Sequence, residues 1–175
     1  MSIVWVKTVF GCMSGPTVET SKNVRVGLDE TQIRVLNVDD DSDSLKITKK
    51  ILELLGAFQV DTALSVEEAV KMMKKTKYDA VISDNRIIGK SGFDFLTDLR
   101  TSENNVPFVF FTGKRRETMA IEALNLGADG YFNKIGDPET VYDELAHNIR
   151  GAVERRKAEE VSKMGVEKTG RFEGR

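Results

Sequence analysis

Side chains suited to metal and phosphoryl chemistry follow four separate apolar runs in this 175-residue chain. The acidic run Asp39–Asp41 follows the first of these apolar runs, and Asp84 follows another. Thr112 ends a third run and Lys134 follows a fourth. Carboxylates gathered at one place repel one another unless a cation joins them, and Mg²⁺ prefers a few carboxylate oxygens together with water. If the four runs end side by side, these residues form one acidic, cation-binding site.

The charges of this set predict what the site can do. Asp39, Asp40 and Asp84 contribute −3, while one Mg²⁺ and Lys134 contribute +3. A site that is neutral with the ion bound can accept a phosphoryl group. The hydroxyl of Thr112 and the ammonium of Lys134 are suitable donors to phosphoryl oxygens. Asp84 is then a candidate nucleophile that forms an aspartyl phosphate.

Three other interpretations use the same region of the chain. The tripeptide Gly89-Lys90-Ser91 is similar to the end of a P-loop, but that motif needs a glycine where Asp84 stands. A phosphatase of the haloacid-dehalogenase type also uses an aspartyl nucleophile, but it requires a second aspartate where Arg86 stands. Asp41 and Ser42 are explained equally well as residues that cap the following helix.

The elements that must position these residues alternate regularly from Ile33 onward. Short apolar runs typical of buried strands are each followed by apolar residues at helical spacing. A capping-box signal at Ser65 and Glu68 and a proline at the start of the last helix mark helix beginnings. The predicted strands cover residues 33–38, 58–60, 80–82, 108–111 and 130–132. The predicted helices lie near residues 47–55, 65–76, 95–99 and 120–127, and from 138 onward.

This alternation of strands and helices predicts an α/β fold. Consecutive strand–helix units favour a parallel sheet with helices on both faces. Because crossovers between parallel strands are right-handed, a doubly wound sheet is the simplest arrangement. Ligands in such sheets bind outside the carboxyl ends of the strands. The acidic, hydroxyl and basic groups are therefore expected to meet at one edge.

Composition excludes several classes of protein. Hydrophobic residues make up 40% and charged residues 31% of the chain, a balance typical of a globular domain rather than a disordered one. The net charge of −2 gives no general attraction to nucleic acid or to an acidic membrane. A single cysteine, Cys12, and a single histidine, His147, exclude a disulfide framework and a metal site built from thiolates or imidazoles. No apolar run approaches the roughly 20 residues that span a bilayer, and we expect a cytoplasmic protein.

The chain is predicted to have three parts. Residues 1–32 form an N-terminal arm, flexible or with one extra strand, whose apolar run is too interrupted for a signal peptide. Residues 33–155 form the α/β domain. Residues 156–175 form a charged helical tail that continues the last helix. A solvated, salt-bridged helix is favoured for this tail over a connector to a further module.

Four motifs, in order along the chain and each at a predicted strand end, resemble the receiver domain of two-component response regulators. The motifs are Val38-Asp39-Asp40-Asp41, Tyr78-Asp79-Ala80-Val81-Ile82-Ser83-Asp84, Phe111-Thr112-Gly113 and Gly127-Ala128-Asp129-Gly130-Tyr131-Phe132-Asn133-Lys134. The resemblance runs from Ile33 to about Arg155. It implies a flavodoxin-like, doubly wound sheet of five parallel strands in the order 2-1-3-4-5, with five helices.

The resemblance also implies roles for individual residues. Asp84 would be the phosphoacceptor, and Lys134 would contact the phosphoryl group. Thr112 and Tyr131 would form the switch pair. The ligands of Mg²⁺ would be Asp39, Asp40, Asp84 and the backbone carbonyl of Arg86.

The partners that the resemblance implies are proteins. The phosphoryl donor would be a phosphohistidine on a histidine kinase or a phosphotransfer protein. The output would be a downstream protein or a fused PAS or kinase module, as in similar archaeal proteins, with a possible homodimer through the fourth helix, fifth strand and fifth helix. The domain would not be an enzyme, although it would assist its own phosphorylation and dephosphorylation. The alternative is a pseudo-receiver, an interaction module without phosphorylation, against which the intact Asp84, Thr112 and Lys134 argue.

Two positions depart from the family pattern. Ile135 stands where the family usually has a proline preceded by a cis peptide, and Ile88 stands where a proline usually follows the phosphoacceptor by four residues. A cis bond before a residue other than proline costs roughly 3–4 kcal/mol. The loop after Lys134 is therefore expected to be either trans and reshaped or strained. The loop that contains Ile88 is expected to be looser than usual.

Overall fold

The computed structural model describes residues 32–113 and 117–169 of the chain. Its strands are β1 (Ile33–Val38), β2 (Phe58–Ala63), β3 (Ala80–Ser83), β4 (Phe108–Thr112) and β5 (Gly130–Asn133). Its helices are α1 (Ser42–Leu54), α2 (Val66–Met73), α3 (Gly92–Thr101), α4 (Glu117–Asn125) and α5 (Pro138–Thr169). Except for Gln32, the predicted N-terminal arm lies outside the described residues, as do residues 170–175 of the predicted tail.

The strands pair in parallel in the order β2-β1-β3-β4-β5, which confirms the predicted doubly wound, flavodoxin-like sheet. β1 lies between β2 and β3, so the direction of winding reverses beside it. The crevice at such a reversal, outside the carboxyl ends of the strands, is where doubly wound sheets bind ligands. The fold therefore places the ends of β1 and β3 next to each other at the predicted site.

The sheet is buried on both faces, and β4 illustrates how its sequence achieves this. Phe108 and Phe110 pack into the core that also contains α3, while Val109 and Phe111 pack into the core on the opposite face, against α5. Alternate residues of a strand point to opposite faces, so a fully apolar strand can fill both cores. The continuous apolar run that predicted a strand here reflects this burial.

Two elements differ in length from the prediction. β2 continues to Ala63 rather than ending at Val60, because Asp61 pairs with β1 and its carboxylate is held by Arg34 at 3.0 Å and by the Tyr78 hydroxyl at 2.9 Å. α2 ends at Met73 rather than near Thr76, and the chain then turns. For β2, tertiary contacts that local patterning does not record determine the boundary.

The helix cap of α1 is provided by Asp41. Its side chain accepts hydrogen bonds from the backbone N–H groups of Asp43 at 2.9 Å and Ser44 at 3.3 Å. These two bonds lower the pKa of the Asp41 carboxyl from its ordinary value. The capping interpretation of Asp41 is therefore confirmed, whereas Ser42 is the first residue of the helix and not its cap.

α5 spans 32 residues and continues through position 155 without interruption. Its first half is anchored by buried residues that include Leu145, Ile149 and Val153. Further along, Arg156 pairs with Glu160 at 3.3 Å, one turn away. The last helix thus continues past Arg155 to Thr169, with ion pairs as far as Glu160. Within the described part of the chain, no helix is long and apolar enough to cross a membrane.

Candidate functional site

The predicted site residues meet at the carboxyl edge of the sheet. Asp39 directly follows β1, Asp84 directly follows β3, Thr112 ends β4 and Lys134 directly follows β5. All four line one open cavity of about 510 Å³, and Asp40 lines it as well. The parallel sheet alone accounts for this convergence, because it brings strand ends that lie far apart in the chain to one edge.

The Lys134 ammonium group contacts two of the carboxylates that line this cavity. Its Nζ donates a short hydrogen bond to Oδ2 of Asp39, and it lies 3.2 Å from Oδ2 of Asp84. It also donates to Oγ of Ser44 at 2.9 Å. Two carboxylates from separate strands are thus joined by one cation.

This environment raises the pKa of Lys134 from its ordinary value. Partial burial by itself opposes the charged form and lowers the pKa, but the hydrogen bond to Asp39 and the charges of Asp84 and Asp39 outweigh it. Lys134 is therefore fully protonated at neutral pH. It can serve as a fixed positive charge at this edge of the sheet.

Asp39 is held firmly in place. Its side chain is only 4% exposed, its Oδ1 accepts from the backbone N–H of Asp41 at 3.0 Å, and its Oδ2 accepts from the Ser44 hydroxyl at 2.7 Å. Ser44 therefore bridges Asp39 and Lys134 through one oxygen. We did not predict Ser44 as a site residue. The available signal was a hydroxyl in the first turn of the helix that follows the acidic run.

Asp84 has a more open position. Its side chain is 16% exposed, and its Oδ1 accepts a hydrogen bond from the backbone N–H of Arg86 at 3.0 Å. Its own backbone N–H donates to the carbonyl of Val38 at 2.9 Å, which ties the loop after β3 to β1. The carboxylate is accessible from the cavity while its backbone is fixed.

Gly92, the first residue of α3, packs closely against this loop. A Cβ atom built at Gly92 would overlap the backbone carbonyl of Asp84 and would lie 2.9 Å from Oγ of Ser83. No larger residue fits there without moving the loop. The absence of a side chain at this position therefore contributes to the geometry of Asp84.

The donor groups of the cavity fit a hydrated Mg²⁺. Within the described residues, no three acidic, histidine or cysteine side chains converge closely enough to hold a metal ion by themselves. Mg²⁺ needs only one or two carboxylates, however, because it retains several waters. Asp39 and Asp84 present hard oxygen ligands, and the exposed Asp40 lines the same open space. The chemistry of the donors and the room for water are both suitable.

The predicted switch residues lie on neighbouring strands. Thr112 is buried, and Tyr131 is half-buried, with its ring centroid 5.9 Å from that of Phe110. One contact connects the loop after β3 to α4: Nδ2 of Asn85, the residue after Asp84, lies 3.1 Å from Sδ of Met119. The residue next to Asp84 is therefore in direct contact with α4.

Residues outside the site lie as follows. His147 is exposed on α5, in agreement with its interpretation as a surface residue. Ile88 and Ile135, which replace the usual prolines, are 81% and 71% exposed. The peptide bond before Ile135 is trans, so the cis alternative is excluded.

A doubly wound sheet with paired carboxylates and a lysine at its carboxyl edge defines a small class of α/β proteins, and comparison with known proteins identifies the family within it. The sequence model of the response regulator receiver domain family matches residues 35–146 of this chain. This protein therefore belongs to the family of response regulator receiver domains of two-component systems.

Individual relatives agree with this assignment. The transcriptional regulatory protein PrrA of Mycobacterium leprae is 34% identical over 71% of this chain and 52% of its own length. The chemotaxis protein CheY-3 of Vibrio cholerae is 30% identical over 65% of this chain and 88% of its own length. The chain spans about half the length of the first of these relatives. A receiver domain structure from Clostridium thermocellum superposes with a TM-score of 0.64 at 28% identity, covering 72% of this chain and 98% of that one.

Membership of the family carries some general properties. Receiver domains interact with histidine kinases and output domains, and they generally bind Mg²⁺ at their acidic pocket. They act in signalling and typically do not act as enzymes.

Proposed function

We propose that residues 33–155 form a receiver domain that accepts a phosphoryl group on Asp84 from a phosphohistidine of a histidine kinase or phosphotransfer protein. The observation that carries this proposal is the position of the Lys134 ammonium between Asp39 and Asp84. Thr112 lines the same cavity. A carboxylate that is accessible, held by a backbone hydrogen bond and adjacent to a fixed cation is suited to phosphoryl transfer.

The transfer step is a substitution at phosphorus. A carboxylate oxygen of Asp84 attacks the phosphorus atom as the bond from phosphorus to the histidine nitrogen breaks. The electron pair of that bond remains on the imidazole, which takes up a proton. Hydrolysis reverses the modification when water attacks the same phosphorus and the Asp84 carboxylate leaves. Lys134 and Thr112 donate to the phosphoryl oxygens in both steps, so the domain assists its own phosphorylation and dephosphorylation without being an enzyme for other substrates.

The metal ligands in this proposal are Asp39, Asp40, Asp84 and the backbone carbonyl of Arg86. Bound Mg²⁺ neutralises charge on the phosphoryl oxygens. Asp39 is already oriented by Ser44 and by the backbone of Asp41, so its oxygens need little rearrangement.

Phosphorylation would then alter the α4–β5–α5 surface. It replaces a charge of −1 on Asp84 by about −1.5 to −2 and adds acceptor oxygens. Thr112 moves to donate to one of these oxygens, and Tyr131 packs further inward behind it. Met119 and the exposed Ile121 lie on α4, and we place contacts with an output protein, a fused PAS or kinase module, or a second copy of this chain on this surface. The cytoplasm is the compartment in which such a relay would act.

Intact-mass measurement with Mg²⁺ and acetyl phosphate tests the phosphoacceptor. We expect one added phosphoryl group on the wild-type chain and none on Asp84→Asn. Asp98→Asn is the matched control, because Asp98 is an exposed aspartate on α3 whose partner is Lys90. It should be modified like the wild type. Absence of any adduct on the wild type would favour the pseudo-receiver, and an adduct that persists in Asp84→Asn would place the acceptor elsewhere.

The proposed switch is tested separately, by self-association with and without beryllofluoride. The wild type should change its oligomeric state or the chemical shifts of α4 when this phosphoryl mimic binds, and Thr112→Val should not. Unchanged association together with unchanged α4 shifts in the wild type would contradict the switch and leave the acceptor role of Asp84 standing.

A further inference from the structure

A second cavity lies at the end of the sheet opposite to Asp84. Tyr78 and Asp79, which precede β3, and Val106 and Pro107, which precede β4, are among its lining residues. Asp84 and Thr112 lie at the other ends of the same two strands. The cavity has a volume of about 440 Å³, within the range of small-molecule sites.

The walls of this cavity are strongly basic. Lys74, Lys75 and Lys77 come from the segment between α2 and β3, while Arg156 and Lys157 come from the extended part of α5. We name this set of five residues the basic cluster. Two segments that are distant in the chain therefore contribute cations to the same cavity.

The acidic residues that line the cavity are already engaged. Asp79 accepts a hydrogen bond from the backbone N–H of Arg34 at 2.8 Å. Glu160 pairs with Arg156 at 3.3 Å. Among the described side chains, none forms an ion pair with any of the four lysines of the basic cluster. The lining therefore carries five basic and two acidic side chains, an excess of three positive charges.

Three of the residues that line the cavity, Val106, Pro107 and Val153, are both buried and apolar. We name these three residues the apolar floor. A concave site with an apolar floor and a rim of lysines suits a compact ligand that carries several negative charges. Arginine binds anions through a planar group with a fixed geometry, whereas the lysine ammonium acts as a point charge. Several lysines can therefore adapt to phosphate groups in different positions.

We propose that this cavity binds a small molecule that carries two or more phosphate groups, either an inorganic oligophosphate or a nucleoside polyphosphate. The oligophosphate lies against the basic cluster in both cases, and a nucleoside would rest on the apolar floor. The site is independent of phosphorylation at Asp84, from which it is separated by the length of the strands. Because Arg156 and Lys157 belong to α5, an occupied cavity would tie the extended part of this helix to the α2–β3 segment.

The test uses the full chain, ¹⁵N-labelled, in EDTA and physiological salt, titrated with inorganic triphosphate and in parallel with ATP. We expect saturable shifts at residues 74–79, 104–107 and 153–160, without matching shifts at Asp39, Asp84 and Lys134. Equal affinity for the two ligands indicates oligophosphate recognition alone. Tighter binding of ATP indicates that the floor contributes, and both results support the site.

Charge-reversal variants provide the control for non-specific attraction. The double variant Lys75→Glu/Lys157→Glu should weaken triphosphate binding by about tenfold or more, which corresponds to about 1.4 kcal/mol. Lys46→Glu/Lys50→Glu on α1 makes the same change in net charge at exposed positions away from the cavity and should leave binding within about twofold. Equal losses in the two double variants, or shifts confined to residues around Lys134, would overturn the proposal. So would a glutamate-rich peptide that shifts the cavity residues when triphosphate does not.

Discussion

Replacing Lys134 by methionine should destabilise this domain more than removing any exposed lysine. Methionine retains most of the aliphatic stem but removes the cation that joins Asp39 to Asp84. The Asp39 side chain is 4% exposed and that of Asp84 is 16% exposed, so neither charge can be fully hydrated once the ammonium is lost. Loss of one partner from a buried ion pair costs 3–5 kcal/mol, and because this cavity is open we expect about 3 kcal/mol in the free energy of unfolding.

Urea denaturation at pH 7 measures this cost, and Lys46→Met is the matched control. Lys46 lies 2.9 Å from a carboxylate oxygen of Asp43, but the two side chains are 74% and 79% exposed. Such a surface pair contributes about 0–1 kcal/mol. Equal losses of stability in the two lysine variants would show that burial does not govern the energetics of the site. Asp39→Asn introduced into Lys134→Met should recover part of the loss, because it removes one of the two uncompensated charges.

The pH dependence gives a second check on Lys134. Its pKa is raised in the folded chain above the ordinary value of 10.5, so folding favours the protonated form. The stability that Lys134 contributes is therefore complete below pH 10.5 and is lost as the pH rises through the raised value. The difference between wild type and Lys134→Met should be constant from pH 7 to 10 and should shrink above that. A difference that stays constant at higher pH would contradict the raised pKa.

Three further variants test other parts of the domain. Ser44→Ala removes a hydroxyl that bridges the Asp39 carboxylate and the Lys134 ammonium, and it should lower the free energy of unfolding by about 1–2 kcal/mol in urea denaturation. Ser44→Thr, which keeps a hydroxyl, should recover stability if the hydroxyl itself is responsible. Gly92→Ala should cost about 1–3 kcal/mol through overpacking, whereas Gly113→Ala, with open space around its Cβ, should be nearly neutral; equal thermal shifts would refute this reasoning. Burial and a hydrogen bond raise the pKa of Tyr78 to about 12 from 10.0, so wild-type stability should fall between pH 10 and 12, and Tyr78→Phe should lack that part of the fall. An identical alkaline decline in the two proteins would contradict it.

The convergence of the site could be predicted because each of Asp39, Asp84, Thr112 and Lys134 lies at the carboxyl end of a strand. Ala80–Ile82, shortly before Asp84, and Phe108–Phe111, directly before Thr112, are continuous apolar runs, which are typical of buried parallel strands. The carboxyl ends of such strands share one edge, so a one-dimensional pattern was sufficient to bring distant residues together. The order of the strands came from the family resemblance and not from these patterns.

The parts that were missed depend on contacts between segments. The sequence around Ser44 does not distinguish a solvent-facing residue of the first helical turn from a site residue. Ser44 lies beside Lys134 because of the position of the end of β5, which is distant in the chain. Asp61 interrupted the apolar pattern of β2, yet Arg34 and Tyr78 hold its carboxylate and the strand continues. The lysines of the basic cluster lie in two segments separated by about half of the chain, and no local pattern relates them.

The unbroken course of α5 fixes the orientation of everything along it. Each residue of an α-helix advances the axis by about 1.5 Å and turns it by about 100°. Val153 is buried in the core, and the 16 residues from there to Thr169 extend for about 24 Å. The direction in which each of them faces about the helix axis is fixed relative to Val153. Removing one residue after Val153 would turn the rest of the helix by about 100°, whereas removing seven would nearly restore its facing direction. The number of residues after Val153 therefore determines which direction the end of the helix faces relative to the sheet.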